Sequence, residues 1–137
     1  MPLLHSSGID VVARYRSRRT HGLLSGDFYD VVETEDGSLH ILIGDICGHG
    51  PDEAALGVSL RIAWRTLVLS DVDEERALRT LEEVLLAERT TSHTFATLTS
   101  VVVPPQRNVM RVLRCGHHGM LIRNGTESTW HEPPGGP

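Results

Sequence analysis

The chain has 137 residues, 39% of them hydrophobic and only 4% aromatic, which suits one ordinary domain with an aliphatic core and is too apolar for global disorder. A formal charge of −5 argues against nucleic acid as a partner, because a grip on phosphate backbones wants a basic face. No apolar run is long enough to span a bilayer and no N-terminal signal segment is evident, so no membrane association and a cytoplasmic location are expected.

Residues 9–16 mix β-branched residues with charges and predict a first strand. Its arginines, Arg14 and Arg16 with Arg18 and Arg19 beyond, read as a solvated edge, with contact to a phosphorylated substrate left open. After a polar loop over 18–26, two strand-like runs, 28–33 and 39–44, flank Glu35-Asp36-Gly37-Ser38. An Asp-Gly step between apolar runs is a strong hairpin signal. In that hairpin Asp27 and Asp45 stand opposite each other at the open end.

Gly48-His49-Gly50 breaks the second strand, and Pro51-Asp52-Glu53 opens a helix, proline suiting the first turn and acids its positive end. Leu56, Leu60, Ala63 and Leu67 predict its buried face. A second helix is expected from Asp71 or Asp73 to about Arg89, burying Leu78, Leu81 and Leu85 with Ala77 and Val84 at the flanks. Strands follow at 95–103, 109–115 and 120–123, then an Asn124-Gly125 turn and a breaker-rich tail from Glu132. The order predicts an α+β fold in which two adjacent helices pack on largely antiparallel β-sheets, all within one domain over 1–137.

Two carboxylates at facing strand ends repel unless something positive lies between them, and oxygen ligands suit a hard cation such as Mg²⁺ or Mn²⁺. Asp27 and Asp45 fit a plainer role equally well, as turn caps beside glycines. Cys47 and Cys115 are far apart and form neither a disulfide framework nor a zinc pattern; Cys47 reads as a small packing residue.

The run Ser25-Gly26-Asp27-Phe28-Tyr29-Asp30-Val31, then Ile43-Gly44-Asp45-Ile46-Cys47-Gly48-His49-Gly50 and a helix, resembles the SpoIIE/RsbU branch of the metal-dependent (PPM-type) protein serine/threonine phosphatases. Phe95-Ala96-Thr97-Leu98 and Arg114-Cys115-Gly116-His117-His118 are similar to two later motifs of that branch, and residues 8–15 to its first strand. The resemblance implies a partial PPM β-sandwich and hydrolysis of phosphoserine or phosphothreonine on a protein, with Mn²⁺ or Mg²⁺ as cofactor. Asp27 would bridge two cations, Asp45 would bind one, and the backbone carbonyl of Ile46 would complete that ligand set. Asp30 and His49 would stand behind the cations, orienting the loop or a water, and His117 would shape the sheet end.

The branch normally continues past the Pro-Gly segment into strands that supply further carboxylates. No Asp in residues 1–137 matches that pattern, so the domain reads as truncated, with at most one well-ligated cation. By resemblance the substrate would be a phosphorylated anti-sigma-factor antagonist of the STAS type in bacterial signalling, and the two helices would serve a homodimer. The competing expectation is a catalytically incompetent interaction or regulatory domain that keeps the fold and binds partners through those helices.

Overall fold

The structure, a computed structural model, describes residues 9–14 and 25–132. Its first strands, β1 (Phe28–Glu33) and β2 (Leu39–Ile46), pair antiparallel with Phe28 opposite Gly44 and Glu33 opposite Leu39. Asp36 holds the turn between them. Its carboxylate accepts from the Thr34 hydroxyl (2.6 Å), the Ser38 amide (2.9 Å) and the Ser38 hydroxyl (2.7 Å). Gly37 supplies the positive φ of 82° that the turn requires.

Those hydrogen bonds, the Thr34 one foremost, hold the Asp36 carboxyl down at about 2. A carboxyl depressed by folding stabilises the fold above its unfolded value of 3.8, and that contribution is lost as pH falls toward about 2. Asp36 is exposed and solvent screens much of that gain, so Asp36→Ala is expected to cost no more than about 1 kcal/mol at neutral pH. Urea titrations should show the gap from the parent chain closing as pH drops below about 3; a gap independent of pH would contradict the assignment.

Past β2 the chain turns at Gly48 and Gly50 (φ 109° and 144°), and Pro51 starts α1 (Pro51–Leu69). α2 (Glu74–Glu88) begins behind Asp73, whose side chain accepts from the Arg76 amide. β3 (Ala96–Val103) then returns to pair with the free edge of β2, and β4 (Arg111–Cys115) pairs with β3. The result is an antiparallel sheet in the order β1-β2-β3-β4. β5 (Met120–Asn124) and β6 (Glu127–His131) form a separate two-stranded hairpin.

Strand alternation sorts the side chains between the two faces of the four-stranded sheet. Phe28 and Val32 of β1, Leu42 and Ile46 of β2 and Leu98 of β3 pack on one face, against Leu56, Leu60, Trp64 and Val68 of α1 and Leu81 of α2. Asp27 and Asp45 fall on the other face, away from the helices.

Three expectations need correction. The buried line of α1 runs 56-60-64-68, centred on Trp64 (2% exposed), with Ala63 and Leu67 packed beside it. Residues 9–14 belong to none of the sheet ladders, and Val12, Ala13 and Arg14 are exposed. Residues 15–24, the rest of that stretch and its loop, lie outside the described residues. β6, in the segment before the tail, was not anticipated. No helix among the described residues is long and apolar enough to cross a membrane.

Candidate functional site

The β1–β2 register that sets Phe28 opposite Gly44 also sets Asp27 opposite Asp45, one position further out. Two glycines allow the hairpin to close this tightly. A Cβ on Gly44 would run into the Phe28 ring, and one on Gly26 would lie 2.5 Å from the Ile46 carbonyl oxygen. The Ile46 amide donates to the Gly26 carbonyl (3.2 Å), so pairing continues past the end of β1 and carries Asp27 with it. The Ser25 hydroxyl then fixes the Asp27 side chain, donating to its Oδ2 at 2.8 Å and accepting from the Asp27 amide at 3.2 Å.

Asp27 is exposed and Asp45 half-buried. The Asp45 carboxyl is pushed above its ordinary value, first by burial and then by the charge of Asp27 and a hydrogen bond between the two side chains. Two acids forced together in this way favour a proton or a cation between them. Across the sheet Asp45 pairs with Thr97 of β3. The Thr97 hydroxyl meets His117 Nδ1 at 2.9 Å, and Arg114 donates to the His117 carbonyl at 2.6 Å. Burial and the neighbouring His118 lower the His117 pKa, against the pull of Asp45 and Asp27. Thr97 and His117 thus form the third side of the acidic pair; the Gly-His step marked the loop in the sequence, but nothing there linked it to Thr97.

The remaining sequence candidates take separate places. His49 is exposed in the loop after β2, where it bridges to Ser25. Asp30 sits on the helix face, 3% exposed, with its carboxylate bound by Arg65 of α1: Nε meets Oδ2 at 2.7 Å, and a second guanidinium nitrogen meets Oδ1. The structure therefore ties Asp30 to the helix, not to the loop it was expected to orient. Cys47 ties the other flank: its amide donates to the Phe95 carbonyl (2.9 Å), and its Sγ accepts from the Phe95 amide (3.4 Å).

As a cation site the arrangement is partial but chemically consistent. Asp27, Asp45 and the Ile46 carbonyl are hard oxygen donors at one end of one hairpin, and the acidic pair is short of positive charge. No group of three or more His, Cys, Asp or Glu side chains is arranged to hold a metal among the described residues.

Comparison with known proteins agrees with this architecture. The sequence model of the family described as Stage II sporulation protein E (SpoIIE) matches residues 35–137. No curated protein matches the chain. Among solved structures it is similar to the RsbU and RsbW domains of a Mycobacterium tuberculosis protein, with a TM-score of 0.70 and 22% identity over 85% of this chain and 32% of that one. It is also similar to the PP2C phosphatase domain, with a fragment of the regulatory domain, of the cell-fate determinant SpoIIE from Bacillus subtilis. There the TM-score is 0.67, with 24% identity over 83% of this chain and 33% of that one. The chain thus spans about a third of the length of each, and at these identities the likeness is one of fold.

Proposed function

This chain belongs to the SpoIIE family, and from that premise we propose that it carries part of the active site of a metal-dependent protein serine/threonine phosphatase. The observation that carries the reading is the pairing of Asp27 with Asp45 at the open end of the β1–β2 hairpin, with the Asp45 carboxyl pushed up by burial and by Asp27. Asp45 lies inside the segment matched to the family and Asp27 outside it, and the hairpin register joins the two.

In this reading the Asp27 and Asp45 carboxylates would hold the divalent cations of the whole domain, and the Ile46 backbone carbonyl would complete the ligand set at Asp45. Bound Mn²⁺ or Mg²⁺ would supply positive charge for the phosphoryl oxygens and make a water more acidic. The chain's own part is positional. Ser25 orients the Asp27 carboxylate, Thr97 and Arg114 hold His117 beside Asp45, and the helix-side core keeps the hairpin end rigid. Hydrolysis joins the water oxygen to phosphorus and breaks the ester P–O bond, and the seryl or threonyl oxygen departs with a proton. The proposed substrate is a phosphorylated anti-sigma-factor antagonist of the STAS type, in cytoplasmic bacterial signalling. Family membership and the fold shared with RsbU and SpoIIE domains support that choice.

Calorimetric titration of this chain with Mn²⁺ tests the reading. One weak site is expected, lost in Asp27→Ala while the circular dichroism spectrum is kept. Equal Mn²⁺ binding by the variant, or two tight sites in the parent, would contradict it. The first of these results would favour a non-catalytic interaction domain.

A further inference from the structure

α1 lies alongside β1 in a fixed register. Gly57 packs so closely on the strand that a Cβ there would stand 3.2 Å from the Gly26 carbonyl and 3.5 Å from the Phe28 ring. Two turns later Arg65 binds Asp30. Helix and strand therefore run in the same direction, and Arg61, one turn from each contact, stands abreast of the start of β1. Between them runs an open groove of about 280 Å³. Asp27, Phe28, Tyr29 and Asp30 line it from the strand, and Ala54, Val58 and Arg61 from the helix.

The chemistry of this groove is uneven. Tyr29 and Val58 are both about half exposed, at 46% and 49%, and give it apolar walls. Asp30 is neutralised by Arg65. Arg61 has no ion pair or hydrogen bond among the described residues, although it is half-buried in the wall. The groove therefore offers one uncommitted guanidinium, and it leads to Asp27 of the acidic pair. β1 is the edge strand of its sheet among the described residues, the kind of edge along which an extended peptide pairs.

We propose that this groove is where the phosphorylated segment of the protein substrate docks, and that Arg61 is the binding residue that grips its phosphate on the way to the Asp27–Asp45 site. The proposal rests on the phosphatase reading above. It commits to a phosphoserine- or phosphothreonine-bearing peptide for three reasons. A guanidinium fork matches a phosphate dianion in charge and geometry. The apolar walls suit the residues beside the phosphorylated one. And Asp27, one of the two acids of the proposed site, lines the same groove.

The test uses the full chain with Mn²⁺ and three probes: a blocked pentapeptide with a central phosphoserine, its unphosphorylated twin, and inorganic phosphate. Affinities are read by calorimetry for the parent, Arg61→Ala and Arg61→Lys, with Arg79→Ala on α2 as a remote control. The expected result is a roughly tenfold or greater weakening of the phosphopeptide in Arg61→Ala, as for a lost charge-assisted contact. Partial recovery in Arg61→Lys, no change in Arg79→Ala and unaltered Mn²⁺ affinity are expected with it. Equal phosphopeptide binding by parent and Arg61→Ala would overturn the proposal, and so would a parallel loss of Mn²⁺ affinity. If the unphosphorylated twin binds as well as the phosphopeptide, the phosphate grip is refuted; if inorganic phosphate does, the docking groove is refuted. Failure of the underlying phosphatase reading shows separately, as Mn²⁺ binding that survives Asp27→Ala.

Discussion

Arg65→Ala is expected to destabilise the chain by about 3 kcal/mol, measured by urea denaturation, because it strands the Asp30 carboxylate on the buried side of β1. Asp30 is 3% exposed, and its carboxylate also accepts from the Val31 amide at 2.8 Å, so a full charge would remain inside the fold. The figure sits at the low end for a severed buried pair because Arg65 itself is 24% exposed and part of its attraction is screened. Replacing both partners together, as Asp30→Leu with Arg65→Leu, should cost less than Arg65→Ala alone, since no charge is then left behind. A double variant that falls further than the single one would show that the pair contributes more than the neutralisation of Asp30.

Asp45→Asn should act in opposite directions with and without divalent cation. In the cation-free chain the Asp45 carboxyl is raised above its ordinary 3.8 by burial and by Asp27. A carboxyl raised by folding favours the fold below its unfolded pKa, and that contribution is lost as pH rises through the folded value. At neutral pH the parent chain thus carries an unfavourable charge that asparagine removes, so the variant should melt a few degrees higher. This advantage should disappear in acid, where both chains are neutral at that position. With millimolar Mn²⁺ the order should reverse, because a ligand bound only by the folded parent raises its melting temperature and the variant has lost a ligating oxygen. A variant that melts below the parent without cation, or gains as much from Mn²⁺, would remove Asp45 from the proposed site.

The parts of this structure that were legible in the sequence are those set by local rules. The Asp-Gly turn and the alternation on either side fixed β1 to the residue and set Asp27 opposite Asp45. β2 proved two residues longer than its apolar run, because Asp45 and Ile46 are held on their other side by Thr97 and Ala96, some fifty positions away. Pro51 marked the start of α1, but a face read from leucines missed Trp64, whose size makes it the centre of the core. The partner of Asp30 could not be seen either: Arg65 lies 35 residues on, and only the register of α1 along β1 brings it there. At the other end, Thr129 and Trp130 are good strand formers beyond an Asn-Gly turn, a signal overshadowed by the prolines that follow.

The alternation along β1 and β2 has a consequence for how such a chain can vary over generations. At the open end of the hairpin one set of residues meets the helices and the interleaved set carries the acids. Point substitutions can therefore alter either set while sparing the other. A single inserted or deleted residue between Glu33 and Leu39 cannot, because shifting the pairing by one would set the core residues of one strand against the acidic side of its neighbour. The five-residue span from Thr34 to Ser38, closed by Asp36, is thus under a constraint of length that its exposed position would not suggest.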